Sequence, residues 1–116
     1  MTVRRIVPNL EADPAKARAF YGDLLELDLV MDHGWIVTYA SPEQRAAQVT
    51  IASEGGSGTP APQLSIEVDD VEDVYARAKS ASLEIVYELT REPWGVRRFY
   101  VRDPFGTIVN ILSHED

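Results

Sequence analysis

A carboxamide set among aliphatic side chains is the first sign of chemistry in this chain: Asn110 interrupts the run Ile108-Val109-Asn110-Ile111-Leu112. A polar side chain in such a run needs a partner, a water or a ligand. Two other runs carry groups of the same kind. Gln63, Ser65 and Glu67 alternate with Leu64, Ile66 and Val68, and Gln48 and Thr50 alternate with Ala47, Val49 and Ile51. In extended chain, each polar set shares one face. Amides and hydroxyls orient a bound molecule by hydrogen bonding. Glu67 is the one carboxylate on the Gln63 face, so it is a weak candidate for a general base, with a solvated residue at the strand's end as the alternative.

Aromatic and cationic residues complete the candidates. Trp35, Tyr39 and Trp94 could wall a planar ligand or plug a core. Alternation sends Arg97 with Phe99 and Val101 to one face, and Arg98 with Tyr100 and Arg102 to the other. One arginine therefore points to the better-covered side, where it needs an anion or an aromatic face. A ligand would supply that anion, or Glu67, Glu88 or Glu92 would supply it internally. His33 sits in an Asp32-His33-Gly34 turn and His114 at the end of the last run, both reading as exposed. Cysteine is absent, which removes disulfides, thiolate metal sites and thiol nucleophiles.

These residues need strands to carry them, and the chain supplies the strands twice. Extended runs at Val3 to Leu10 and Gln63 to Val68 each lead into a helical pattern. The first helix is opened by Asp13-Pro14, with Ala17, Phe20, Leu24 and Leu27 as its apolar stripe. Asp69 or Asp70 caps the second, whose stripe is Val71, Val74, Tyr75, Ala78 and Ala81. Strand-like runs follow each helix: Asp28 to Met31, Trp35 to Ala40 and Ala47 to Ala52, then Glu84 to Leu89, Arg97 to Arg102 and Thr107 to Ser113. The last two are joined by Asp103-Pro104-Phe105-Gly106, in which proline fixes one φ and glycine accepts a positive one. Both halves read β-α-β-β-β. Between them lies Glu54-Gly55-Gly56-Ser57-Gly58-Thr59-Pro60-Ala61-Pro62, a linker by composition. The expected division is a first module at 1–53, a linker at 54–62 and a second module at 63–116. Neither half could bury its sheet alone, so the halves pack on each other or on those of a partner chain.

Composition narrows the classes. The chain has 116 residues, is 45% hydrophobic and carries a net charge of −8, with its acids scattered. That is enough apolar material for a core, and a sign that repels phosphate backbones, so nucleic acid is excluded as an expected partner. No apolar run approaches a membrane span and no signal peptide is visible, which makes a cytoplasmic protein with no membrane partner the expectation.

The doubled β-α-β-β-β pattern, Phe20-Tyr21 ahead of Leu24-Leu25, and the Phe99-x-x-x-Asp103-Pro104-x-Gly106 hairpin resemble the vicinal oxygen chelate superfamily. That group includes glyoxalase I, bleomycin- and fosfomycin-resistance proteins and extradiol dioxygenases. The resemblance covers essentially the whole chain and implies an α+β fold, with two βαβββ modules forming a U-shaped, partly open mixed barrel. It also implies a binding cleft and a homodimer. Its metalloenzymes hold a divalent ion with His, Glu or Gln from the cleft strands. Carried onto this chain, those places are Arg5, Gln48 or Thr50, Gln63 and Asn110. No histidine or carboxylate stands at any of them, and neutral amides beside an arginine cannot offset an ion's lost hydration. The expectation is therefore a protein without a metal or other cofactor that binds an aromatic or antibiotic-like small molecule. Trp35, Tyr39, Trp94 and Tyr100 would line its site, Gln48, Thr50, Gln63 and Asn110 would orient the ligand, and Arg98 or Arg5 would meet an anionic group. The alternative is an enzyme of the superfamily, either a metal-dependent lyase, isomerase or dioxygenase or a metal-free acid/base catalyst using Glu67.

Overall fold

The structure is a computed structural model that describes residues 1–115. Its elements run β1 (Val3–Glu11), a 3-10 turn (Pro14–Lys16), a π-helix (Arg18–Leu24), β2 (Asp28–Asp32), β3 (Ile36–Ala40), β4 (Gln48–Ala52), β5 (Leu64–Val68), α1 (Val71–Ser80), β6 (Ile85–Arg91), β7 (Val96–Arg102) and β8 (Ile108–His114). The class is α+β, and the chain forms two compact units. One is Val7–Ala61; the other comprises Met1–Ile6 and the chain from Pro62 onward. Strand β1 is divided between them.

In the unit from Val7 to Ala61 the strand order is β2-β3-β4-β1. Strands β1 and β4 are parallel, with Asn9 opposite Thr50, while β2, β3 and β4 are antiparallel. Asp13 caps the 3-10 turn by accepting from the Ala15 amide at 3.0 Å, and Pro14 follows it. The next turn widens into a π-helix, in which the Leu25 amide donates to the Phe20 carbonyl. This widening changes which residues face inward. Ala17, Val37, Tyr39 and Ile51 form the buried cluster, with Tyr21, Leu27 and Val49 packed against it. Phe20 and Leu24, expected in the stripe, are exposed. A 3.6-residue period cannot hold its phase across i→i+5 bonding.

The C-terminal unit has the order β1-β5-β8-β7-β6, with β5 and β8 parallel and β6, β7 and β8 antiparallel. Strand β6 is the edge of this unit's sheet. Asp70 caps α1 by accepting from the Asp73 amide at 3.1 Å. Asp69 instead accepts from the Thr2 amide at 2.8 Å and so holds the N-terminal residues to the end of β5. Helix α1 lays Val71, Val74, Tyr75 and Ala78 on Leu64, Ile66, Val68, Phe99, Val109 and Ile111. Ala81, expected to extend that stripe, is the exposed C-cap. The Ser113 hydroxyl fastens this layer, donating to the Val68 carbonyl at 2.8 Å and accepting from the Val71 amide at 3.1 Å.

The Asp103–Gly106 turn forms as the sequence predicts. The Asp103 carboxylate accepts from the amides of Phe105 at 2.9 Å and Thr107 at 2.8 Å, and Gly106 adopts φ 84°. That φ favours glycine. No helix among the described residues is long and apolar enough to cross a membrane.

Candidate functional site

The face of the C-terminal sheet away from α1 carries most of the candidate residues. Register alone brings them together, since Ser65 lies opposite Asn110, Glu67 opposite Leu112, Tyr100 opposite Asn110 and Arg98 opposite Leu112. They form two groups, a polar ledge on β5 and β8 and an aromatic wall on β6 and β7.

On the ledge, Asn110 is 7% exposed. Its Nδ2 donates to Ser65 Oγ at 3.1 Å. Its Oδ1 is sealed from solvent and has no hydrogen-bond partner among the described residues. Two residues further along β5, the Glu67 carboxylate lies between two side chains: Arg5 Nε is 3.1 Å from Oε1 and His114 Nδ1 is 2.6 Å from Oε2. The Arg5 contact is one of charge rather than an aligned hydrogen bond, because its Nε–H does not point at the carboxylate. His114 is therefore not an isolated histidine at the strand's end. Its position on β8 has the same parity as Asn110 and Leu112, a signal the sequence carried but that carried no weight without a partner. Exposed Gln63 accepts from the Ile108 amide at 3.0 Å and so closes the start of β8.

The wall is built around a buried ion pair. Arg98 Nε donates to Glu92 Oε2 at 2.7 Å and Nη2 approaches the same oxygen at 2.6 Å, with side-chain exposures of 5% and 2%. Nη1 donates to the Tyr100 hydroxyl at 3.0 Å. The rings of Tyr87, Trp94 and Tyr100 stand 5.3, 5.0 and 5.0 Å from the guanidinium carbon. Cation–π attraction and a paired carboxylate offset the cost of burying this charge. Arg98 and Arg5, the candidates for meeting a ligand anion, are paired within the unit with Glu92 and Glu67. Arg97 points the other way and pairs with Glu72 of α1. Trp94 packs against Arg98 from the turn between β6 and β7. Sequence alternation does not group Tyr87 and Glu92 with Tyr100, because bulges in β6 interrupt it.

The remaining candidates belong to the other unit. Thr50 Oγ1 bonds to Thr38 Oγ1 at 2.8 Å, and the two residues lie opposite each other. Gln48 Nε2 donates to the Arg45 carbonyl at 2.7 Å. Trp35 immediately precedes β3, half-buried, and its carbonyl accepts from the Ser53 amide at 3.0 Å. Tyr39 does not share the face of Gln48 and Thr50. It packs with Ala17, Tyr21 and Val37 on the helix side, so its placement beside Gln48 and Thr50 is corrected. Period-two alternation rightly kept Val37 with Tyr39, but could not say which face the helix covers.

A divalent metal, implied by the metalloenzymes the chain resembles, finds a poor donor set here. Of the C-terminal unit's three candidate places, Arg5 is cationic, Gln63 has its oxygen on a backbone amide, and Asn110 is neutral. Among the described residues no group of three His, Cys, Asp or Glu side chains could hold a metal ion.

The family model described as Glyoxalase/Bleomycin resistance protein/Dioxygenase superfamily matches residues 10–111. The chain belongs to this superfamily. No curated protein matches it. Among solved structures it is similar to a superfamily member from Vibrio splendidus 12B01, at 20% identity and a TM-score of 0.69, covering 97% of this chain and 99% of that one. Methylmalonyl-CoA epimerase from Mycobacterium tuberculosis gives 20% and 0.70, covering 98% and 88%. A structure described as NAD-dependent benzaldehyde dehydrogenase from Legionella pneumophila gives 16% and 0.75, covering 95% and 99%. At these identities the likeness concerns the fold, so any activity must be argued from the side chains.

Proposed function

We propose that this superfamily member binds a small organic molecule without the help of a metal. The observation that carries the reading is Asn110, a carboxamide at the place where metalloenzymes of the superfamily commonly put a carboxylate. It is more than nine-tenths buried and hydrogen-bonded to Ser65. A neutral amide supplies orientation and no charge, which suits recognition and serves a dication poorly. In the wall, half-buried Tyr87 and Trp94 keep some apolar surface, the usual partner of a few convergent polar groups in a ligand site. The working form would be a cytoplasmic homodimer, as the superfamily commonly is.

Tryptophan fluorescence tests the reading, since Trp94 lies in the wall. Titration with a panel of aromatic metabolites and antibiotics should give saturable quenching that Trp94→Phe alters. Elemental analysis of the purified protein should find no stoichiometric Ni, Zn, Fe or Mn. A tightly held ion that disappears in Asn110→Leu would overturn the metal-free reading.

One contact favours a second reading, a metal-free proton-transfer enzyme. With Glu67 on His114 Nδ1, the carboxylate can orient the imidazole and leave Nε2 to take or give a proton. Turnover of any substrate found should then be unchanged by chelator and lost in Glu67→Gln and His114→Phe.

A further inference from the structure

We infer that the ligand of the Asn110 site is a neutral hydrogen-bond donor, a molecule presenting an N–H or O–H on an aromatic body, and neither an anion nor a pure acceptor. The inference rests on the binding reading above and adds the ligand's polarity to it.

Three observations fix that polarity. The first is the amide itself. A carboxamide has a donor end and an acceptor end, and the single Ser65 hydroxyl engages only the donor end, at 3.1 Å. The acceptor end, Oδ1, is buried and has no hydrogen-bond partner among the described residues. A buried acceptor left in this state costs about 1–3 kcal/mol relative to one that is satisfied. A donor arriving at Oδ1 removes that cost, whereas an acceptor arriving there adds lone-pair repulsion to it.

The second observation is the state of the two arginines. Arg98 is held by Glu92 at 2.6 Å, and Arg5 lies 3.1 Å from Glu67. A carboxylate or phosphate ligand would have to break one of these pairs and strand a glutamate. For the Arg98 pair, almost fully buried, that exchange is costly. The third observation is the balance of charge around Asn110. Glu67 and Glu92 each have an arginine partner, so neither carboxylate is left over for a cationic ligand. A neutral donor is the class that fits all three.

Isothermal titration with matched probes tests this. Indole and phenol each carry one donor; 1-methylindole and anisole have nearly the same shape without it. Benzoate and benzylammonium supply the two charges. For the unaltered protein, indole or phenol should bind at least about tenfold more tightly than its methylated counterpart. Benzoate should be weaker than phenol.

In Asn110→Leu, which keeps the volume and removes the acceptor, the donor advantage should vanish while the methylated probes bind as before. Ser65→Ala provides a second check, because it releases the amide to turn either end outward. The preference for phenol over anisole should then shrink with Asn110 intact. Equal binding of each methylated pair, or tightest binding of benzoate, overturns the donor assignment and leaves the binding protein standing. If instead no probe binds and Zn or Mn binds stoichiometrically through Asn110, the metal-free reading fails as well.

Discussion

Two pairs of polar side chains, one in each unit, face each other across neighbouring strands, and only one of them is complete. Thr38 and Thr50 meet at 2.8 Å, and each hydroxyl can donate or accept. Ser65 and Asn110 meet at 3.1 Å, but the carboxamide brings two ends to a one-atom partner. In the threonine pair neither oxygen is left without a partner, and the bond ties β3 to β4. The second pair leaves an acceptor over, in a buried position where that costs stability. A buried polar pair is thus structural when each of its atoms has a partner and points to function when one has none.

The Glu92–Arg98 pair belongs with the complete ones, and it sets the largest expected effect. Its charges are buried and its hydrogen bonds extend to Tyr87 and Tyr100. Glu92→Ala leaves the guanidinium buried without its carboxylate, so a loss of about 3–5 kcal/mol is expected in urea denaturation. A loss below about 1 kcal/mol would mean the aromatic cage alone satisfies Arg98. Next comes Thr50→Val, which leaves Thr38 without its partner and should cost about 1–2 kcal/mol. The double variant Thr38→Val with Thr50→Val should recover much of that cost, since two methyls of matching shape need no partner. A double-mutant cycle reads the difference directly.

Asn110→Leu sharpens the contrast from the other side. If its oxygen is a standing cost, removing the whole amide should leave the protein as stable as before, or raise the melting temperature. A fall of more than about 2 kcal/mol would show that the carboxamide is satisfied in solution and that the two polar pairs are of one kind.

Much of this arrangement was legible in the sequence. The alternation of Leu64, Ile66 and Val68 against Ser65 and Glu67 gave both faces of β5, and the Asp103–Gly106 turn set the hairpin register that puts Tyr100 opposite Asn110. Three features were not legible, each for a physical reason. Period counting assumes i→i+4 bonding and so puts Phe20 and Leu24 inward, which the π-helix does not allow. Alternation groups Tyr39 with Val37 without saying that the helix covers that group. The pairing of His114 with Glu67 depends on the parallel β5–β8 register, which joins positions 47 residues apart. The choice of Glu92 for Arg98 was one of three open alternatives, decided by how the β6–β7 hairpin closes.

The smallest effect expected concerns a satisfied polar contact at the surface. The Asp69 carboxyl is held below its ordinary value of 3.8, chiefly by the Thr2 amide hydrogen bond, against a smaller opposing effect of desolvation. A carboxylate whose folded pKa is depressed stabilises the fold when ionised. The contribution is whole above the ordinary value and is lost as pH falls through the depressed one. Urea denaturation followed from neutral pH down to about pH 2 should therefore show a low-pH limb that is shallower in Asp69→Asn. The group is fully exposed and water competes for the same bond, so the difference should be well below that of Thr50→Val. An Asp69→Asn effect as large as the threonine one would make the anchoring of residues 1–6, through which Arg5 reaches Glu67, a condition for the ledge itself. In that case Asp69→Asn would also weaken ligand binding at neutral pH, which the same titrations would reveal.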